Sequence, residues 1–129
     1  FINEKSLEQS VFLIGALPNK EILKYIYHSD IVVIPSLVEG LGITAIETIM
    51  LNKICVVSDA GGLPEVIQDL INGYVFQRKN YSNVIDILQD IYENKLDSDH
   101  LKIRESYLKS FTIESYVDKL QKILIDEKV

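Results

Sequence analysis

Several features that other classes of protein depend on are scarce or missing in this sequence of 129 residues. It has a single cysteine, Cys55, which excludes an internal disulfide and a zinc site built on paired cysteines. Neither His28 nor His100 has a second ligand at metal-binding spacing. With two arginines and a net charge of −6, the chain lacks the basic face that binds DNA or RNA. No apolar run approaches the ~20 residues of a membrane-spanning helix. These absences predict no nucleic-acid partner, no metal and a cytoplasmic location.

What is present is typical of an ordinary globular chain. Hydrophobic residues make up 47% of the sequence and charged residues 25%, and the length suits one modest domain. The chain begins at Phe1 without an initiator methionine or a signal peptide. We therefore expect it to be part of a longer polypeptide.

Four short apolar runs alternate with segments of helical periodicity. They are residues 11–14, 31–34, 54–57 and 74–76. The first three are continuously apolar rather than alternating in polarity, which is typical of strands covered on both faces in a parallel sheet. This order predicts an α/β fold, a parallel sheet with helices on both faces.

The helical segments have recognisable starts. Pro18 and Asn19 open the first helix, with Asn19 as its expected N-cap residue. Residues 43–51 predict a second helix that is nearly all apolar and therefore buried. Residues 82–129 predict a helical tail with two apolar stripes and a weaker, polar helix between them from residue 97 to 110. Thr112 is the expected cap of the last helix.

In an open parallel sheet, binding sites form in the loops beyond the carboxyl ends of the strands, where helix N-termini present free N–H groups. Here these loops are residues 15–18, 36–42 and 58–65. The middle loop contains Glu39, Gly40 and Gly42 directly before the apolar helix. Glycines let a ligand approach the backbone closely, and the amides from Gly42 to Thr44 can bind anionic oxygens.

Two glutamates flank this helix start. Glu47 is the only charge in the apolar helix, and a carboxylate buried on an apolar face needs hydrogen-bond donors. The vicinal hydroxyls of a ribose can supply them; alternatively, Glu47 bonds to backbone amides or a lysine and only supports the loop. Glu39 is either a ligand-binding group or a solvated turn residue. Glu65, which follows Pro64, is interpreted as a favourable charge at a helix start.

The stretch from Pro35 to Met50 resembles the E-x7-E signature of the retaining, GT-B-fold glycosyltransferases of family 4, also called glycosyl transferases group 1. The resemblance continues in order on both sides. Residues 11–15 are similar to the preceding strand and glycine, and residues 56–67 to the following strand and its Gly-Gly-x-Pro-Glu turn. The resemblance implies that residues 1–129 form part of a C-terminal, nucleotide-sugar-binding domain with a Rossmann-like fold.

The resemblance also implies a role for each matching position. Glu39 is the catalytic residue beside the transferred sugar, and Glu47 accepts hydrogen bonds from the ribose hydroxyls. The donor's sugar and diphosphate oxygens bind at Gly40, Leu41, Gly42, Ile43 and Thr44. The base lies near Gly15, Ala16 and Leu17. The donor substrate is a nucleoside-diphosphate sugar, and neither a cofactor nor a metal is expected.

One part of the family pattern has no counterpart here: the arginine and lysine pair that grips the donor diphosphate. We therefore expect the chain alone to be inactive and the acceptor, a glycan or a lipid-linked acceptor, to bind mainly outside it. The intact enzyme is expected in the cytoplasm or at the inner membrane face, and open strand edges predict self-association of this chain. Two other functions fit the same residues. One is a sugar-nucleotide epimerase of similar architecture, and the other is a noncatalytic domain that binds a nucleotide sugar or a partner.

Overall fold

The structure is a computed structural model that describes residues 2–93 and 100–126. A 3₁₀ helix (Asn3–Lys5) precedes the longer elements. In chain order these are α1 (Asn19–His28), β1 (Ile31–Ile34), α2 (Ile43–Met50), β2 (Ile54–Ser58), α3 (Leu63–Val66), β3 (Tyr74–Phe76), α4 (Tyr81–Tyr92), α5 (His100–Ser110) and α6 (Ile113–Asp126).

The strands form a parallel sheet in the order β1, β2, β3. Ile31 pairs with Ile54 where β1 and β2 begin, and Val57 of β2 pairs with Val75 of β3. All five residues of the central β2 are buried, because it has a neighbour on each side and helices pack against it. The parallel sheet confirms the predicted α/β class and three of the four predicted strands.

The predicted strand at residues 11–14 was wrong. This segment has no regular secondary structure, and Phe12 and Leu13 are 71% and 85% exposed. A strand forms only where a neighbour pairs with its backbone N–H and C=O groups. No described strand pairs with this segment, so its apolar pattern alone does not make it a strand.

The start of α1 also differs from the prediction. Pro18 flanks the helix and Asn19 is its first helical residue, so Asn19 is not the N-cap residue. Its side-chain amide donates instead to Glu47 Oε1 at 2.8 Å. A sequence rule for helix caps cannot anticipate a partner 28 residues away, because that partner is set by how α1 packs on α2.

Helix α2 is buried on one face rather than all round, which corrects the expectation of a fully buried helix. Ala45, Thr48 and Ile49 are completely buried, whereas Ile43 is 65% exposed. The helix ends at Met50, whose carbonyl oxygen accepts a hydrogen bond from the Arg104 guanidinium of α5. Because Ile43 is exposed, the first turn of α2 has an open side, which the sequence did not indicate.

The two predicted apolar stripes differ in burial. Leu88 and Ile91 of α4 pack against the core. Along α6 the stripe is exposed to solvent, from 42% at Leu120 to 79% at Ile113. Helix α6 is thus amphipathic in sequence, and in the part of the chain that the structure describes its apolar side is largely exposed to solvent.

The cap of α6 is confirmed. Thr112 Oγ1 accepts a hydrogen bond from the Ser115 N–H at 3.2 Å. Of the predicted polar helix, residues 100–110 are helical and residues 97–99 lie outside the described residues. Among the helices that the structure describes, none is both long enough and apolar enough to cross a bilayer.

Asn72 holds the turn that leads into β3, and its removal is expected to destabilise the fold. It is 98% buried; its Nδ2 donates to the Val66 carbonyl oxygen at 3.0 Å, and its Oδ1 accepts from the Gln68 N–H at 2.7 Å. Asn72→Ala removes the partner of the buried Val66 carbonyl oxygen and of the part-buried Gln68 N–H, so we expect the free energy of unfolding to fall by about 2 to 4 kcal/mol. Urea denaturation measures this.

The matched control is Asn80→Ala. Asn80 is an exposed residue whose side chain caps α4 by accepting from the Asn83 N–H. Loss of that cap costs about 1 kcal/mol. A loss at position 72 no larger than at position 80 contradicts the role given to Asn72.

Candidate functional site

Two loops lie side by side at the carboxyl edge of the sheet. We call them the middle loop, residues 36–42 after β1, and the glycine turn, residues 59–62 after β2. The buried Ser58 hydroxyl at the end of β2 donates to the Ser36 carbonyl oxygen at 2.6 Å. The Gly62 N–H donates to the Gly40 carbonyl oxygen at 2.8 Å. These hydrogen bonds fix the middle loop against the end of β2 and the glycine turn.

Glycine is required where the two loops touch. Gly61 has a φ of +51°, and a Cβ atom there would overlap the Glu39 carbonyl oxygen. A Cβ atom on Gly62 would overlap the Gly40 carbonyl oxygen in the same way. The Gly-Gly pair is therefore the surface on which the loop carrying Glu39 packs.

The Glu39 carboxylate is held by its own loop. Ser36 Oγ donates to Oε2 at 3.3 Å, and the Gly40 N–H donates to Oε1 at 3.1 Å. The residue is half-buried, so the carboxylate is both oriented and accessible. An oriented anion of this kind can accept hydrogen bonds from ligand hydroxyls or stabilise positive charge that develops during a reaction.

The N-terminus of α2 follows the middle loop directly. Gly42 flanks the helix with a φ of +77°, and the helix's own hydrogen bonds begin at Ala45, whose N–H donates to the Gly42 carbonyl oxygen at 2.9 Å. The N–H groups of Ile43 and Thr44 come before that point, where a helix offers no internal acceptor. Both residues are exposed. Their amides and the helix dipole suit anionic oxygens.

Glu47 lies one turn further along α2. It is partly buried, not fully as predicted, because the face of α2 that carries it is only half covered. Its Oε1 accepts a hydrogen bond from Asn19 Nδ2 at 2.8 Å. The predicted partners, a backbone amide or a lysine, are thus replaced by a neutral side-chain amide that occupies one carboxylate oxygen.

The same hydrogen bond relates the first loop to Glu47 through the sequence. Asn19 comes two residues after Leu17, so the segment of Gly15, Ala16 and Leu17 leads directly to the residue that binds this carboxylate. Gly15 and Ala16 are exposed, and Leu17 is half-buried. The structure therefore joins the start of α1, which directly follows the first loop, to α2 through Glu47, and the glycine turn to the middle loop through backbone contacts.

Sequence reasoning missed Arg78, which joins the end of β3 to the middle loop and to the glycine turn. Its Nε donates to Asp59 Oδ1 at 2.9 Å, its Nη2 to the Asp59 carbonyl oxygen at 3.0 Å and its Nη1 to the Leu37 carbonyl oxygen at 3.5 Å. The Arg78 backbone N–H, which also donates to Asp59 Oδ1, and the guanidinium lower the pKa of the Asp59 carboxyl below its ordinary 3.8. In the sequence, the only indication of this role was the position of Arg78 just beyond a predicted strand.

Other reactive groups lie away from this edge. Cys55 is completely buried in β2, and burial raises the pKa of its thiol to about 12, so it is not a nucleophile at neutral pH. Within residues 2–93 and 100–126, no three His, Cys, Asp or Glu side chains are grouped to hold a metal ion. That the site works without a metal stays a prediction.

A cavity of about 340 Å³ lies between the segment after α3 and helix α5. Its lining mixes both signs of charge and includes Glu65, Gln68, Lys102, Glu105 and Lys109. None of the predicted site residues lines it. The candidate site is therefore the open carboxyl edge of the sheet and not this cavity.

Comparison with known proteins points to one family. The model of the family described as glycosyl transferases group 1 matches residues 1–108, which include the whole sheet and both loops. A curated relative, the amylovoran biosynthesis glycosyltransferase AmsK of Erwinia amylovora, is 28% identical over 102 residues, or 74% of this chain and 25% of AmsK. The chain spans about a third or less of the length of the curated relatives it matches.

Solved structures share the fold. The C-terminal domain of LpcC, a glycosyl transferase group 1 family protein of Francisella tularensis, matches with a TM-score of 0.75 and 27% identity, covering 87% of this chain and 59% of that one. The Anabaena protein HepE, solved in complex with UDP, matches with a TM-score of 0.82 and 20% identity, covering 97% of this chain and 35% of HepE. These likenesses confirm the predicted Rossmann-like fold.

Proposed function

Because the chain belongs to the glycosyl transferases group 1 family, we propose that it forms the donor side of a retaining glycosyltransferase. This enzyme moves a sugar from a nucleoside diphosphate to a glycan or a lipid-linked acceptor. The observation that carries the proposal is the succession of Glu39, the free amides at the start of α2 and Glu47 along one edge of the sheet. The name of the relative AmsK supports a role in polysaccharide biosynthesis.

The start of α2 suits the donor diphosphate. During transfer, the bond between the sugar and the diphosphate breaks, and negative charge grows on the leaving phosphate oxygens. The amides of Ile43 and Thr44 and the positive end of the helix dipole stabilise that charge. Gly40 and Leu41 are exposed in the turn into the helix, and no neighbour lies where a Cβ atom on Gly40 would stand, so the donor can approach the backbone closely there. Gly42 is buried against Leu63 and shapes the turn from below.

Glu39 acts on the transferred sugar. Positive charge develops at the anomeric carbon as the leaving group departs, and a nearby carboxylate stabilises it. The Ser36 hydroxyl and the Gly40 N–H hold this carboxylate in one orientation, which preserves its position through the reaction. We assign Glu39 as the catalytic residue.

Glu47 binds the ribose of the donor. Asn19 occupies one of its oxygens, and the carboxylate retains acceptor capacity for the vicinal hydroxyls of the sugar. The segment of Gly15, Ala16 and Leu17 then contacts the base, because it ends next to Glu47. HepE, a protein of the same fold, was solved with UDP, and we propose a nucleoside diphosphate of this kind for the present site.

Transfer itself needs more polypeptide than these 129 residues. The chain spans about a third or less of its curated relatives, and the basic pair expected to grip the diphosphate has no counterpart in it. In this proposal the acceptor binds mainly outside the chain, and no metal takes part. We place the intact enzyme in the cytoplasm, at the inner membrane face when the acceptor is a lipid.

Glu47→Gln tests the assignment of the ribose contact. The Gln side chain still accepts from Asn19 through its carbonyl oxygen, but it presents an NH₂ group where the ribose hydroxyls need an acceptor. Loss of hydrogen bonds to a charged group weakens the affinity for a nucleoside diphosphate by about 10- to 100-fold. Calorimetric titration of the chain measures this change.

The 2′-deoxy form of the same nucleotide is the matched control ligand. The wild-type chain is expected to prefer the ribose form, and Glu47→Gln to lose most of that preference. Equal discrimination between the two nucleotides before and after the substitution means that Glu47 does not contact the ribose and only holds Asn19.

A further inference from the structure

We propose that Arg78 is a positioning residue for the sugar end of the donor site: it locks the middle loop to the glycine turn and thereby fixes Glu39. This inference rests on the proposed function. Arg78 touches neither the start of α2 nor Glu47 in the contacts that the structure gives it, so its effect on the reaction is exerted through Leu37 and Asp59.

The two loops are joined at successive positions. Ser36 is bound by Ser58, and the Gly40 carbonyl oxygen is bound by the Gly62 N–H. Between these two attachments lies Leu37, which has no equivalent backbone bond to the glycine turn. The Arg78 guanidinium supplies the link there, because it donates to the Leu37 carbonyl oxygen and to Asp59 together.

The guanidinium geometry suits this task. Its donors lie in one plane in a rigid fork, so Nε and Nη2 can bind the side chain and the backbone of Asp59 while Nη1 points to Leu37. A lysine ammonium has the same charge, but all its donors are on one nitrogen atom, so it does not reproduce the planar fork whose three nitrogen atoms each bind a different acceptor. Arg78→Lys therefore removes the lock and keeps the charge.

The consequences for the two ends of the donor differ. Leu37 is two residues from Glu39, so loss of the lock loosens the middle loop that carries the carboxylate assigned to the sugar, while Ser36 and Gly40 still bind that carboxylate. Glu47 is held separately by Asn19 of α1. Removal of Arg78 should thus weaken the recognition of the sugar and leave the recognition of the nucleotide unchanged.

The test compares Arg78→Lys with Arg104→Lys in the full-length enzyme. Arg104 is a matched control, because its guanidinium also donates to a backbone carbonyl oxygen, that of Met50 at the opposite end of α2. Two quantities are measured for each protein. One is the hydrogen exchange of the Gly40 and Gly62 amides without ligand, since both donate hydrogen bonds in the region where the two loops meet. The other is the affinity for UDP-glucose relative to that for UDP.

We expect Arg78→Lys to speed up exchange at both amides and to lower the affinity ratio by about fivefold to tenfold, while UDP alone binds as in the wild type. Arg104→Lys should change neither quantity.

If the full-length wild-type enzyme binds both ligands and Arg78→Lys behaves like the wild type, the positioning role is overturned and the proposed function stands. If Arg78→Lys weakens UDP and UDP-glucose equally, Arg78 is only a structural residue and the positioning role is overturned as well. If the full-length wild-type enzyme binds neither ligand nor any other nucleoside-diphosphate sugar, the proposed function fails together with the inference.

Discussion

Gly61→Ala is expected to displace the middle loop and to abolish detectable donor binding. The new Cβ atom would overlap the Glu39 carbonyl oxygen, and that atom belongs to backbone that cannot rotate away as a side chain could. The substitution also places a Cβ atom at a φ of +51°, where residues other than glycine are strained. We expect the free energy of unfolding to fall by about 2 to 5 kcal/mol, from strain and overpacking together.

Gly15→Ala separates strain from overlap. Gly15 has a similar φ of +68°, but a Cβ atom there has no neighbour within 4 Å. This control should lose only about 1 to 2 kcal/mol and should leave the amide chemical shifts of residues 36–42 unchanged. Equal losses at the two glycines, with the middle loop undisturbed in both, would show that Gly61 does not support the site.

Glu39→Gln is expected to lower the rate of sugar transfer by about 10²- to 10³-fold in the full-length enzyme, because it removes the charge proposed to stabilise the anomeric carbon. Gln keeps the size of the side chain and an oxygen that accepts from Ser36 or Gly40, so the loop should keep its shape. The affinity for the nucleoside diphosphate should change little. The measurement is the steady-state kinetics of transfer, with kcat and KM determined separately.

Glu65→Gln is the matched control for this substitution. Glu65 is an exposed carboxylate in α3, next to Pro64, and it lies outside the two loops that touch. We expect its loss to leave kcat unchanged. A Glu39→Gln enzyme that transfers at the wild-type rate would rule out a catalytic role for Glu39 and leave it as a turn residue.

The fold could be predicted from the sequence where the deciding forces are local. Continuous apolar runs predicted β1 and β2, because strands covered on both faces exclude polar residues. The short apolar run of residues 74–76 predicted β3. The same pattern at residues 11–14 failed, since pairing depends on a neighbouring strand and not on the run itself. The Thr112 cap was correct because its partner is three residues away, whereas Asn19 was not, because its partner lies on another helix.

The location of the candidate site could be predicted from the sequence, but most of the contacts within it could not. The order of strand, glycine-rich loop and helix located Glu39 and the free amides of α2 from general rules on parallel sheets. The contact between Gly61 and the Glu39 backbone depends on the register of β1 with β2, and the role of Arg78 depends on the register of β2 with β3. Neither register can be read from the chain alone. The burial of Glu47 was overestimated because the open face of α2 appears only once its neighbours are packed.

The most direct test of the central claim is an amide chemical-shift titration of this chain with UDP-, GDP- and ADP-sugars. We expect one nucleotide class to shift the amides of residues 40–44 most strongly, and Glu47→Gln to weaken those shifts. Shifts confined to the cavity between the α3 segment and α5, or shifts of residues 40–44 that Glu47→Gln leaves unchanged, would contradict this.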